Sequence, residues 1–163
     1  MRPGRIRGRN TISANDVAEQ LRATRGNSGA NQEVLARLLA DEIVLRHEPP
    51  HPSDGPLPGR LLAEMAQREV EAVQRALPDA ELSSDVTVEG DGVRMRGRTC
   101  GTLADGTTVD VQTNTLFTVS DGRIVALLSE MDPQSGEAWG RVLAAGEIEV
   151  PPEFVERLAS QTP

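Results

Sequence analysis

ELSSDVTVEGDGVRMRGRTCGTLADGTTVDVQTNTLFTVSDGRIVALLSEM, residues 81–131, alternates apolar and polar side chains with a period of two, the spacing of half-buried strands. Gly90-Asp91-Gly92, Asp105-Gly106 and Asp121-Gly122 interrupt it with residues that tolerate the positive φ of tight hairpins. The stretch therefore predicts four strands in an antiparallel meander, over Glu81–Glu89, Val93–Leu103, Thr107–Ser120 and Arg123–Met131. In the third strand Val109, Val111, Thr113, Thr115, Phe117 and Val119 share one face, predicted to be the buried one, and Asp110, Gln112, Asn114 and Thr118 share the other. In the fourth, Val125, Leu127, Ser129 and Met131 form the corresponding inward set.

Upstream the period changes to that of helices. Ser13 is a plausible N-cap for a short helix carrying Val17, Ala18 and Leu21 and fading near Gly26. Val34, Leu35, Leu38 and Leu39 recur at helical spacing in a second helix, which hands over to a strand over Ile43–Glu48. Pro49, Pro50, Pro52, Pro56 and Pro58 forbid helix and central strand alike, so 49–58 is expected as an irregular loop. The longest helical pattern follows, with Leu61, Leu62, Met65, Val70, Val73 and Leu77 on one stripe and Glu64, Arg68, Glu71 and Arg75 opposite. Weaker patterns suggest short helices over Gln134–Ala145 and Pro152–Leu158. The 163 residues, 37% of them hydrophobic, suffice for one core, so the fold class expected is α+β in a single domain. Residues 1–12 read as a disordered basic N-terminus, 13–146 as the domain and 147–163 as a C-terminal extension.

Composition narrows the chemistry. A net charge of −8 gives nucleic acid no general electrostatic attraction, and nucleic acid is not expected as a partner. Lysine and tyrosine are absent, which removes a Schiff-base amine and a phenolic acid from the possible catalysts. Cys100 is the single cysteine, so no intramolecular disulfide or thiolate metal site can form, and the expected compartment is the cytoplasm. No run is long and apolar enough to be read as a signal peptide or membrane span. His47 and His51 are four apart, but the prolines between them exclude a helix, so the spacing has no metal-ligand meaning; neither metal nor cofactor is expected.

The order of elements, together with "LLADEIVLRHEPP" (38–50), "GRLLAEM" (59–65), "LPDAELSSDVTVEGDGVRMRGRTCGT" (77–102) and "TNTLFTVSDGRIVALLSEMD" (113–132), resembles the nuclear transport factor 2-like superfamily. The phrases look like those of SnoaL-like polyketide cyclases and their relatives, the ketosteroid isomerases and limonene epoxide hydrolases, over about residues 14–135. The resemblance implies a cone-shaped curved antiparallel sheet wrapped around N-terminal helices, a cystatin-like α+β barrel, with an apolar pocket at its open end. It also implies a homodimer formed through the sheet.

It carries over to particular positions. Aligned on Phe117 and the Asp121-Gly122 turn, Thr115 stands where the ketosteroid isomerases keep an acidic oxyanion donor, and Ser129 where SnoaL-like cyclases keep an acid/base aspartate. Neither hydroxyl moves a proton near neutral pH without a neighbouring base. Glu48-Pro49 matches the acid-Pro step that holds the isomerases' general base, so the expected catalytic set is Glu48, Thr115 and Ser129. Met65, Val111, Thr113, Phe117, Leu127 and Met131 are the expected substrate contacts. His47 takes the face opposite Glu48 if the strand is regular, and both are otherwise solvated strand-end residues. Arg94, Arg96 and Arg98 form a stripe that either binds an anion or is the solvated face of the sheet, partnered by Asp110 and Gln112. Glu130 and Asp132 share the parity of that outer face. The activity implied is isomerisation, dehydration or cyclisation of an apolar small molecule, by proton transfer or by orientation alone. The alternative is a non-catalytic binding or dimerisation module on the same scaffold.

Overall fold

The computed structural model describes residues 13–23 and 28–160. The basic N-terminus lies outside that range. Helix α1 (Ala14–Ala23) opens on a reciprocal cap: the Ser13 amide donates to the Asp16 carboxylate at 2.8 Å, and the Asp16 amide to the Ser13 hydroxyl at 3.4 Å. Helix α2 (Ser28–Leu38) runs straight into strand β1 (Leu39–Glu48). That strand begins earlier than the expected Ile43, because Leu39 already pairs with Ile124 before a register slip ahead of Val44.

The proline-rich segment is not wholly irregular. Gly55–Pro58 forms strand β2, pairing Ile43 with Leu57 and Leu45 with Gly55. It is an edge strand, where a proline sacrifices no ladder bond on the open side. Helix α3 (Gly59–Ala76) follows at once, its first residue so close to β1 that a Cβ on Gly59 would stand 2.1 Å from the Ala40 carbonyl oxygen. Strands β3 (Glu81–Glu89), β4 (Gly92–Thr102), β5 (Thr108–Ser120) and β6 (Arg123–Glu130) make the predicted meander. At the last hairpin Asp121 and Gly122 have φ of 50° and 76°, the pair of positive values that a two-residue turn needs. Helices α4 (Pro133–Ala145) and α5 (Pro152–Ser160) complete the chain.

The six strands lie in the order β2-β1-β6-β5-β4-β3. The sheet is not purely antiparallel, for β1 and β6 pair in parallel, which the helical crossover between them permits. On its inner face, Phe117, Val93, Val86, Ile43, Leu45 and Ile124 pack against Val17, Ala18 and Leu21 of α1 and Leu61 of α3. A second cluster, Val73, Ala76, Leu77, Leu103, Val109 and Val142, joins α3 and α4 to the far end of β5. Residues 147–160, set apart by the sequence as an extension, are docked: Phe154 is buried in the main core, and Arg60 pairs bidentately with Glu153 at 3.0 Å.

Candidate functional site

Register decides which side chains meet inside the curve of the sheet. Val86, Met95, Thr115, Ser129 and His47 are successive cross-strand partners and share the face of Phe117. The next row is Val88, Val93, Phe117, Leu127 and Leu45. Thr115 and Ser129 are thus brought side by side. Glu48 is not: it pairs with Glu130, in the row Asp85, Arg96, Asn114, Glu130 and Glu48, on the opposite face, and it is exposed. Strand alternation assigns the inward place to His47, so the expectation that Glu48 turns into the cone is corrected. The inward set of β6 also changes. A slip between Thr118 and Val119 places Ile124 opposite Val119 in the core and leaves Val125 as the extra residue of a bulge.

Accessibility separates walls from contact surfaces. Phe117 and Val111 are 2% and 0% exposed and have no free surface for a ligand. Met65, Thr113, Thr115, Leu127, Ser129 and Met131 are half-buried and retain some. The residue that sequence reasoning missed is on α3. Glu69 stands four residues after Met65 and four before Val73, on the stripe that also carries Leu61, Ala72 and Ala76 into the core. No hydrogen bond or ion pair to it is present among the described residues. Dense surroundings strip water from its carboxyl, although part of the side chain remains reachable, and burial pushes its pKa up to about 7. The signal was in the spacing: a glutamate at i+4 from one core residue and i−4 from another cannot lie on the solvated face.

A second constellation sits at the end of β1. His47 Nδ1 lies 2.6 Å from the Asp54 carboxylate, whose other oxygen accepts from the His51 amide at 3.1 Å. His51 Nδ1 accepts from the Ser53 amide at 3.1 Å and meets the Ser53 hydroxyl at 2.7 Å. The two imidazole centroids are 5.1 Å apart. Burial works to raise the Asp54 pKa, but the hydrogen bonds from His47 and the His51 amide outweigh it and hold the carboxyl below its usual range. Burial, then the neighbouring His47, lowers the pKa of His51. Only loop folding brings Asp54 to His47, so no periodicity could have shown the pair.

The outer face is ordinary by comparison. Arg94 reaches Glu89 at 2.7 Å, Asn114 at 2.9 Å and Glu130 at 3.4 Å, and Arg98 holds Asp110 bidentately at 2.8 and 2.6 Å. Asp132 caps α4 by accepting from the Ser135 amide at 2.9 Å. An open depression of about 460 Å³ lies where β6 ends and β5 becomes the sheet edge, lined by Glu48, Arg96, Gln112, Asn114 and Glu130 on the outer side and by Thr113 and Met131 on the inner. Its charged walls suit an apolar ligand poorly. Among the described residues no cluster of three or more His, Cys, Asp or Glu is placed to hold a metal, and no helix is long and apolar enough to cross a membrane.

No protein-family model matches the sequence, and no curated protein matches it either. Solved structures do. A proposed SnoaL-like polyketide cyclase from Jannaschia sp. CCS1 is 23% identical over 88% of this chain and 98% of its own, with a TM-score of 0.50. A protein of ketosteroid isomerase-like fold from Catenulispora acidiphila DSM 44928, in complex with trimethylamine, is 16% identical over 85% and 97%, with a TM-score of 0.50. A nuclear transport factor 2-like protein of unknown function from Cytophaga hutchinsonii ATCC 33406 is 12% identical over 74% and 100%, with a TM-score of 0.55. Identities this low speak for architecture alone, and the architecture is the nuclear transport factor 2-like fold.

Proposed function

We propose that the inner surface between α3 and strands β4–β6 binds an apolar small molecule and moves a proton on it, in an isomerase- or cyclase-type reaction. The observation that carries this reading is Glu69: a carboxyl on the core-facing stripe of α3, without a hydrogen bond or ion pair among the described residues and with a pKa pushed up to about 7. Burying such a group destabilises the fold, and a leucine or methionine at the same position would pack without that penalty. A carboxyl poised near neutrality is, however, what a proton acceptor and donor needs. Glu69 takes a proton from a carbon next to a substrate carbonyl, and the electron pair moves onto the carbonyl oxygen. The hydroxyls of Thr115 and Ser129, adjacent in one cross-strand row, donate hydrogen bonds to that oxygen. Met65, Thr113, Leu127 and Met131 supply the apolar and half-polar contact surface. Glu48 has no part in this step, since its register puts it on the other face.

The reading is tested with cyclohex-3-enone in deuterium oxide, following loss of its α-proton signals by NMR. Exchange above background in the wild-type protein, lost in Glu69→Gln, is the expected result. Binding of the ketone without exchange makes the chain a small-ligand binding module instead.

A second copy of the chain is the proposed partner for the outer sheet face. Val44, Ala126, Leu116 and Leu128 form a patch there, with Val44 37% exposed, flanked by Arg46, Arg94 and Glu130. An apolar centre on an open sheet face can meet its own copy across a two-fold axis, and burying it there removes apolar surface from water.

A further inference from the structure

The loop from His51 to Asp54 gives the two histidines opposite hydrogen-bond partners: a carboxylate for His47 and a backbone amide for His51. Asp54, kept ionised, can only accept, so His47 Nδ1 carries a proton, and in the neutral ring Nε2 carries the lone pair. The Ser53 amide can only donate, so His51 Nδ1 carries the lone pair and the proton of the neutral ring resides on Nε2. With the ring centroids 5.1 Å apart, a proton acceptor and a hydrogen-bond donor stand side by side. The acceptor belongs to the inward row, beside Ser129. No hydrogen bond joins Ser129 to His47 among the described residues, so the two are not a nucleophile and its base. Both are free to meet oxygens of a ligand.

The scaffold around the pair is built to keep it. Ser53 is 1% exposed, its carbonyl accepts from Arg157 Nε at 3.3 Å and from a second guanidinium nitrogen at 3.4 Å, and Arg157 belongs to α5. A surface turn with no task would not require a helix from the far end of the chain to clamp its backbone.

We propose that His47, oriented by Asp54, and the exposed His51, oriented by Ser53, form a second proton-handling station at the end of β1, where the inward row meets solvent, and that the substrate class is a hydroxyketone. This rests on the proton-transfer reading of the interior. The substrate hydroxyl gives its proton to His47 Nε2: the O–H bond breaks, the Nε2–H bond forms, and Asp54 stabilises the imidazolium. Glu69 meanwhile takes the proton of the carbon bearing that hydroxyl, and its electron pair forms the carbon–carbon double bond of an enediol. His51 Nε2–H donates to the carbonyl oxygen as charge develops on it, and His47 returns its proton to that oxygen. The proton held by Glu69 then goes to the former carbonyl carbon. No electrons leave the substrate; a hydroxyl and a carbonyl exchange places.

With only two histidines in the chain, both tautomers are readable in the full-length protein by ¹⁵N-histidine NMR at pH 8. The expected spectrum has one ring protonated at Nδ1 and one at Nε2, the first lost in Asp54→Asn. Two Nε2-protonated rings overturn the proposal. Alongside, exchange of the carbinol proton of 2-hydroxycyclohexanone, in which the swap of hydroxyl and carbonyl is degenerate, is compared with exchange of cyclohex-3-enone. His47→Gln is expected to slow exchange of the hydroxyketone at least tenfold more than it slows exchange of the plain ketone, whereas Glu69→Gln removes both. Equal behaviour of the two ketones in His47→Gln overturns this proposal and leaves the interior reading standing. Absence of exchange with both ketones in the wild-type protein overturns the two together.

Discussion

Replacing Glu69 by glutamine has a consequence that needs no substrate. In the folded chain the carboxyl keeps its proton up to pH about 7, whereas in the unfolded chain it releases it near the ordinary glutamate value of 4.5. Between those values the folded state binds more protons than the unfolded one, so stability falls as pH rises through that window. The shift of about 2.5 pH units, at about 1.36 kcal/mol each, gives a penalty of roughly 3 kcal/mol, absent below pH 4.5 and complete above pH 7. Partial solvent access to the side chain makes this an upper bound. Glutamine is nearly isosteric and carries no charge, so Glu69→Gln should match the wild type at pH 4.5 and exceed it by about 2 to 3 kcal/mol at pH 8. Urea denaturation of both proteins at several pH values measures the difference. Subtraction removes His51, whose lowered pKa makes stability rise with pH, and the depressed carboxylates of Asp54 and Asp132, whose contributions are lost only in more acidic solution. A wild-type-to-variant difference that stays constant from pH 4.5 to 8 would refute the placement of this carboxyl in a dehydrated interior.

Other substitutions test the packing and the clamp. Phe117→Ala empties a site that is 2% exposed and should lower stability by about 3 to 5 kcal/mol in denaturant titration. Gly146→Ala should destabilise strongly and lower the thermal midpoint, because its Cβ would stand 2.1 Å from the Ala72 carbonyl oxygen where α4 ends against α3. Arg157→Ala should release the Ser53 carbonyl and broaden or shift the His47 ring signal, with Arg157→Lys restoring part of it. Leu128→Glu places a charge in the outer apolar patch and is expected to give a monomer by light scattering where the wild type gives a dimer.

The meander was legible because its information is local. Alternation from Glu81 to Glu130 and the turn chemistry of Asp121-Gly122 are written into neighbouring residues, and backbone sterics translate them directly into strands and hairpins. The amphipathic stripe of α3 and the pairing of Arg98 with Asp110 were legible for the same reason. Edge strand β2, the parallel contact of β1 with β6, and the bulge at Val125 were not, since each depends on what a distant segment offers as a partner. The chemistry divides along the same line. By itself the sequence determined that the chain forms helices followed by a curved meander, with Thr115 and Ser129 on the inward face. Only the tertiary structure decided that His47 rather than Glu48 accompanies them, that Asp54 meets that histidine while Arg157 clamps the Ser53 carbonyl nearby, and that Glu69 loses its water. Desolvation and tautomer choice are set by every group packed around a side chain, and those groups are assembled only when residues far apart in the chain come together.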